Sequence, residues 1–161
     1  TCARFAAQSP AGISLVLPGP TGERNVYSVL PRTWTACLAG DEKDLLTQLA
    51  AVLAVGSKTL WQGSVAKELR TSLPQDVKAC IEWVSGNAAE DTRVQAVLQH
   101  GNAQDVMRTN QLLAQRPGPI VLLQALAPGS IDMALDGLVH ERSLSVNTAA
   151  AGGNASLMTI G

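Results

Sequence analysis

Three cysteines, two histidines and one Gly-Ser-Lys-Thr run are the residues of this chain with chemistry to offer. A cysteine nucleophile needs thiolate character and a base beside it. Cys2 sits near the first residue, and Cys37 and Cys80 lie inside apolar, strand-like runs, the setting of buried structural thiols. The three form no Cys-x-x-Cys pair and leave one over, which points to reduced thiols in a cytosolic compartment. Gly56-Ser57-Lys58-Thr59 has the ending of a phosphate-binding loop, but Ala51 stands at the upstream glycine position. The run also leads from a helix to a strand, the reverse of what a phosphate cradle needs. His140-Glu141 opens like a zinc-protease helix, yet Leu144 occupies the place of the second histidine. His100, before Gly101 at a strand end, is where a site could lie, though a lone histidine there reads as a capped or solvent-facing group. With no Gly-x-Gly-x-x-Gly, no Gly-x-Ser-x-Gly and no metal-ligand spacing, no catalytic, cofactor-binding or metal residue is expected.

The elements that would position such groups are legible as patterns. Ile13 to Leu17 is β-rich and stops at Pro18-Gly19-Pro20, and Asn25 to Leu30 alternates with period two. Thr33 to Leu38 is a third strand. Asp41, with Glu42 and Asp44 in the first turn, opens a helix over 42–55 that Gly56 ends. That helix spreads Leu45, Leu46, Leu49, Ala50, Val52 and Leu53 over more than half its circumference, so burial on two sides is expected. Strands follow at 57–61, 79–84 and 94–99, with a Ser64-capped helix to Ser72 stopped by Pro74, and a polar loop from Ser85 to Arg93. Asn102 and Asp105 resemble a capping box for a helix with Ala103, Val106, Met107, Leu113 and Ala114 on one face. Ile120 to Leu123 reads as a strand buried on both faces, and Leu138 to Asn147 as an alternating strand. Strand–helix alternation from Thr33 to Leu123 argues for a mainly parallel sheet covered by helices. The strands at 12–30 and 138–147 fall outside it and are expected to pair as a flap. Trp34, Trp61 and Trp83 sit in strand-like segments, which favours core packing over a ligand cage.

Composition narrows the classes further. The 161 residues fit one domain, 1–161, with 46% hydrophobic and only 16% charged residues and a net charge of −1. No basic cluster marks a nucleic-acid binder, and no apolar run reaches the ~18 residues that span a bilayer. Residues 1–12 lack a charged stretch followed by an apolar core, so a cytoplasmic chain is expected. A start at Thr1 rather than Met suits a piece of a longer polypeptide.

The last nineteen residues, Ser143 to Gly161, carry no Asp, Glu, Lys or Arg. Small residues around Gly152, Gly153 and Asn154 permit close approach, and Leu157, Met158 and Ile160 supply apolar anchors, the make-up of a docking tail over 147–161. Burying those anchors is worth about 1.5–3 kcal/mol each. Ordering the tail costs ~1–2 kcal/mol per residue, so main-chain hydrogen bonds to a partner must contribute. Asn147-to-Gly161 resembles the C-terminal motif of long proline utilization A enzymes. Pro18-Gly19-Pro20-Thr21-Gly22-Glu23-Arg24-Asn25, the helix over 45–56, Gly118-Pro119-Ile120-Val121 and Glu141-to-Asn147 resemble that family in the same order. The first ten residues and 87–93 match poorly, and Gln62 follows Trp61 where the family has Pro.

The resemblance implies a Rossmann-like α/β domain of the aldehyde dehydrogenase superfamily, with helices on both faces of the sheet, a β-flap and an extended C-terminal tail. It implies a non-catalytic C-terminal domain, while FAD and NAD act in other domains of the parent, which makes glutamate from proline. The implied partner is the dehydrogenase module of the same polypeptide, with self-association through flap or tail as a further expectation. The parent would be cytoplasmic, peripheral on the inner membrane at most. Contact residues expected on this basis are Thr21, Gly22, Glu23, Arg24, Asn25, Glu141, Arg142, Asn147, Gly152, Gly153, Asn154, Leu157, Met158 and Ile160. The Glu-Arg pairs at 23–24 and 141–142 are read as solvated strand ends, or as pairing with a partner or each other. A domain that binds NAD, or is catalytically competent, is the alternative.

Overall fold

The computed structural model describes residues 1–147, and the expected tail residues Gly152, Gly153, Asn154, Leu157, Met158 and Ile160 lie outside them. The chain opens with α1 (Cys2–Gln8), then β1 (Ser14–Leu17), β2 (Glu23–Pro31) and β3 (Trp34–Leu38). It continues through α2 (Glu42–Val55), β4 (Lys58–Gln62), α3 (Gly63–Ser72), α4 (Gln75–Lys78) and β5 (Ile81–Val84). Then come β6 (Ala96–His100), α5 (Ala103–Gln115), β7 (Leu122–Leu126) and β8 (Val139–Asn147).

Five strands form a parallel sheet in the order β5-β4-β3-β6-β7. That is a doubly wound order, and it reverses direction between β3 and β6. Alternate residues of each strand feed two cores. Cys37, Trp61 and Leu98 point to one face, under α1, α2 and α3, where Phe5, Leu45, Leu49 and Val52 join them. Ala36, Leu60 and Val97 point to the other, beneath α5 and a 3-10 turn at Ala88–Glu90. The expected α/β architecture with helices on both faces is therefore present. α2 has the bounds its sequence suggests: Asp41 Oδ1 accepts from the Asp44 N–H at 2.9 Å, and Gly56 ends it at φ 83°.

Several details differ from the sequence reading. α3 begins at Gly63, with Gln62 rather than Ser64 at its N-cap. Gly63 takes φ 83°, so β4 turns straight into α3, while the Gln62 side chain accepts from the Ala88 N–H. The run at 120–123 is not buried on both faces. β7 is the sheet's edge, Ile120 before it is 99% exposed, and Leu122 is 48% exposed. An unbroken apolar run cannot distinguish a central strand from an edge one. On α5 only Thr109 is buried and Met107 is 56% exposed, because Leu112 and Leu113 make the contact with the sheet. Leu46 of α2 is likewise exposed, at 41%. The polar stretch 85–93 buries Ala88 and Ala89 completely, and neither α1 nor α4 was signalled by periodicity. Trp61 is a core residue, but Trp34 and Trp83 remain half-exposed.

The second sheet is the flap, β1-β2-β8, wholly antiparallel. β2 and β8 pair over nine positions, from Glu23↔Asn147 to Pro31↔Val139, although over a hundred residues separate them in sequence. Its root is tied to the parallel sheet: Lys58 N–H donates to the Thr33 carbonyl, and the Ser57 hydroxyl, just before β4, donates to the Arg32 carbonyl.

Candidate functional site

Ligands of open parallel sheets sit at the carboxyl ends of the strands, where the strand order reverses. Here that place lies between the ends of β3 and β6, flanked by Gly40-Asp41 and His100-Gly101. Three buried polar side chains meet there: Asp44 at 2% exposure, Gln48 at 0% and His100 at 5%. The segment after β7 closes over them. Gly129 N–H donates to both Asp44 carboxylate oxygens at 3.0 Å. His100 Nε2 lies 2.9 Å from the Ser130 carbonyl and so carries the proton that it donates there. Nδ1 then accepts from Gln48 Nε2 at 2.9 Å, and the same amide donates to the Leu38 carbonyl at 3.0 Å. Asp44 Oδ1 stands 3.8 Å from His100 Nε2. His100 is thus a buried structural clamp, neither a site residue nor the solvent-facing group that its sequence position suggested. The roles of Asp44 and Gln48 were missed. Their i, i+4 spacing on α2 was the available signal, but the segment that they hold is remote in sequence.

The electrostatics at this end suit no phosphate. A helix N-terminus attracts anions, but Asp41, Glu42 and Asp44 already place carboxylates on the first turn of α2. The N–H groups that Asp41 caps, led by Asp44's, hold its carboxyl below the usual range. Burial pushes the Cys37 thiol up to about 12. Cys80 Sγ, 3.7 Å from the Asp76 carbonyl, and exposed Cys2 belong to other elements. Among the described residues, no three His, Cys, Asp or Glu side chains are grouped to hold a metal ion.

The predicted contact residues that lie among the described residues fall on the flap, in two places. Thr21 and Gly22 form the turn into β2, with Glu23 N–H donating to the Pro20 carbonyl and Gly22 at φ 90°. Glu23, Arg24 and Asn25 follow and pair with Asn147, Val146 and Ser145, so the turn, the start of β2 and Asn147 share the distal tip. Glu141 and Arg142 pair with Val29 and Ser28 instead, five positions nearer the root. The two Glu-Arg pairs therefore do not meet each other, because antiparallel register separates them along one ladder. Glu141 Oε1 accepts from the Tyr27 hydroxyl at 2.8 Å, which raises the Tyr27 pKa.

The flap also exposes apolar side chains that were not singled out. Val16, Val26 and Leu144 form one cross-strand row, with Val16 67% and Leu144 41% exposed and Val146 beside them at 43%. Leu15 and Leu17, 53% and 41% exposed, occupy the opposite face. Leu15-Val16-Leu17 does not alternate, and that was the missed signal of a strand with apolar groups on both sides.

No family model matches the chain. It is 48% identical over 161 residues to the bifunctional protein PutA of Salmonella typhimurium, covering 99% of this chain and 12% of that protein. The bifunctional protein PutA of Rhizobium meliloti is 42% identical over 166 residues, covering 99% of this chain and 14% of its own. Among solved structures, a variant of Bradyrhizobium japonicum proline utilization A superposes with a TM-score of 0.59 at 21% identity, over 78% of this chain and 14% of that one. An NAD-dependent benzaldehyde dehydrogenase from Corynebacterium glutamicum gives 0.55 at 16% identity, over 80% of this chain and 31% of that one. The fold is that of the aldehyde dehydrogenases. Matched along almost its whole length, but spanning only 12–14% of the curated relatives' own, the chain belongs to the PutA family as a segment of such a protein.

Proposed function

We propose that this chain is a non-catalytic C-terminal docking domain of a proline utilization A enzyme. In that reading an FAD-containing module oxidises proline to pyrroline-5-carboxylate, and hydrolysis gives glutamate semialdehyde. An NAD-dependent module oxidises that to glutamate. The chain packs on the dehydrogenase module through its flap and helps to enclose the path of the intermediate. Enclosure keeps a reactive species out of bulk water and raises its local concentration. The parent works in the cytoplasm, a reading compatible with the finding that no helix among the described residues is long and apolar enough to cross a membrane.

The observation that carries the proposal is the flap's exposure of apolar side chains on both faces. An isolated small sheet is marginal in water, and exposed apolar patches on one mark contact surfaces. The NAD-binding alternative finds little support at the switch point, where residues 129–130 fill the crevice and three carboxylates crowd the helix start. The flap is tested in the parent enzyme with Val16→Glu, Leu144→Glu and Val146→Glu combined. Proline oxidation should persist while NADH production from proline acquires a lag. Lag-free NADH at the original rate would overturn the docking role. Calorimetric titration of the 161-residue chain with NAD should give no binding at the switch point, and one-to-one binding that survives Lys58→Gln combined with Lys67→Gln would favour the alternative.

A further inference from the structure

At the opposite end of the parallel sheet from the closed crevice, the amino ends of β3, β4 and β5 open onto a groove of about 670 Å³. Its lining includes Trp34, Lys58, Lys67, Arg70, Lys78 and Trp83. Three of the chain's four lysines are therefore gathered at one place on a protein of net charge −1. Each cation is held rather than loose. Lys58 Nζ lies 5.7 Å from the Trp34 ring, and Lys67 Nζ lies 4.8 Å from the Trp83 ring. Arg70 Nε donates to the Ile81 carbonyl at 2.9 Å, and Lys78 Nζ to the Thr71 carbonyl at 2.7 Å.

Among the described residues, no carboxylate lies within ion-pair distance of these four cations. The carboxylate in the groove, Glu82, is taken through both oxygens by Arg93 at 2.8 and 2.9 Å, and that bond lowers its pKa. Lysines near a sheet edge often serve only to repel a stray strand. That role calls for a lysine on the edge strand itself, whereas β5 reads Ile-Glu-Trp-Val and every cation comes from β4, α3 or α4. Arg70 also covers the outward Ile81 carbonyl, which removes one of the groups that an added peptide strand would need.

We infer that this groove is a binding site for a compact polyanion of the oligophosphate class, free or carried on a nucleotide. Pre-positioned, unneutralised cations match several phosphate oxygens at close quarters, where a single carboxylate would leave most of them unmatched. The volume lies in the range of small-molecule sites. The half-exposed indoles give the bound ligand an optical signal.

The test is titration of the 161-residue chain with sodium triphosphate, ATP, adenosine and hexaglutamate, followed by calorimetry and tryptophan fluorescence. Triphosphate and ATP should bind one to one, more weakly as salt rises, and adenosine should not bind. Lys58→Gln with Lys67→Gln should weaken triphosphate binding by at least about tenfold. Lys78→Gln, as a separate variant, should also weaken it, and Lys43→Gln should leave it unchanged. Tighter binding of ATP than of triphosphate would assign the site to a nucleotide, and equal binding to the phosphates alone. The inference fails if triphosphate does not bind at millimolar concentration or binds the double variant equally well. It also fails if hexaglutamate binds more tightly, which would make the groove a surface for an acidic protein segment.

Discussion

The closed crevice and the flap are built from opposite arrangements of the same kinds of residue. At the crevice, polar and charged groups are buried and those that hold the segment after β7 are met from within the chain: Asp44 by Gly129, His100 by Ser130 and Gln48, while Gln48 Oε1 is left without a partner. On the flap, valines and leucines stand in the open. Polar atoms inside and apolar ones outside both cost free energy when left alone. The chain settles the first cost by itself, and a partner would settle the second.

The comparison breaks most sharply at Asp44. Asp44→Ala leaves the part-buried Gly129 N–H without its acceptor and removes the buried carboxylate beside His100. Urea unfolding should show a loss of roughly 3 kcal/mol. Loss below 1 kcal/mol would mean that the crevice is not held closed by this residue. Flap substitutions should behave in the opposite way. Val16→Glu alone, at a 67% exposed site, should change the stability of the free chain by no more than about 0.5 kcal/mol, measured the same way. A large loss would show that Val16 packs within the chain and is not reserved for a partner.

The smallest effect concerns the flap's own pairing. Tyr27 is the chain's one tyrosine, and its hydrogen bond to Glu141 raises its pKa above the ordinary 10.0. A raised folded-state pKa means that the contribution is fully present below about pH 10 and is lost as pH rises through the elevated value. Tyrosinate absorbance should therefore appear late in an alkaline titration, and Glu141→Gln should bring it down toward 10. An unchanged titration in that variant would mean that Glu141 does not engage Tyr27 in solution.

Much of the scaffold was legible because its cues are local. Asp41, Gly56 and Asn102 act at helix ends through their own side chains or backbone angles, so their sequence neighbourhood suffices. The flap was legible by exclusion, since period-two runs outside the βα pattern need partners, and β2 and β8 do pair. What escaped depends on tertiary position. Whether β7 is central or at an edge is decided by what lies beyond it, and Met107 is exposed because of where α5 rests. The crevice escaped most completely. Asp44 was readable as a helix-dipole residue, but its partner Gly129 lies 85 residues away. Of the expected contact residues, those at the flap tip gather as one group, whereas Glu141 and Arg142 stand apart, because register is invisible until both strands are placed.

Hydrogen–deuterium exchange, on the free chain and on the same residues within the full parent enzyme, tests the contrast most directly. The account predicts that amides of 14–17 and 139–147 exchange readily in the free chain and become strongly protected in the parent. Amides around 38–48 and 126–130 should be equally slow in both. Unchanged exchange across the flap, or new protection confined to the crevice, would contradict it.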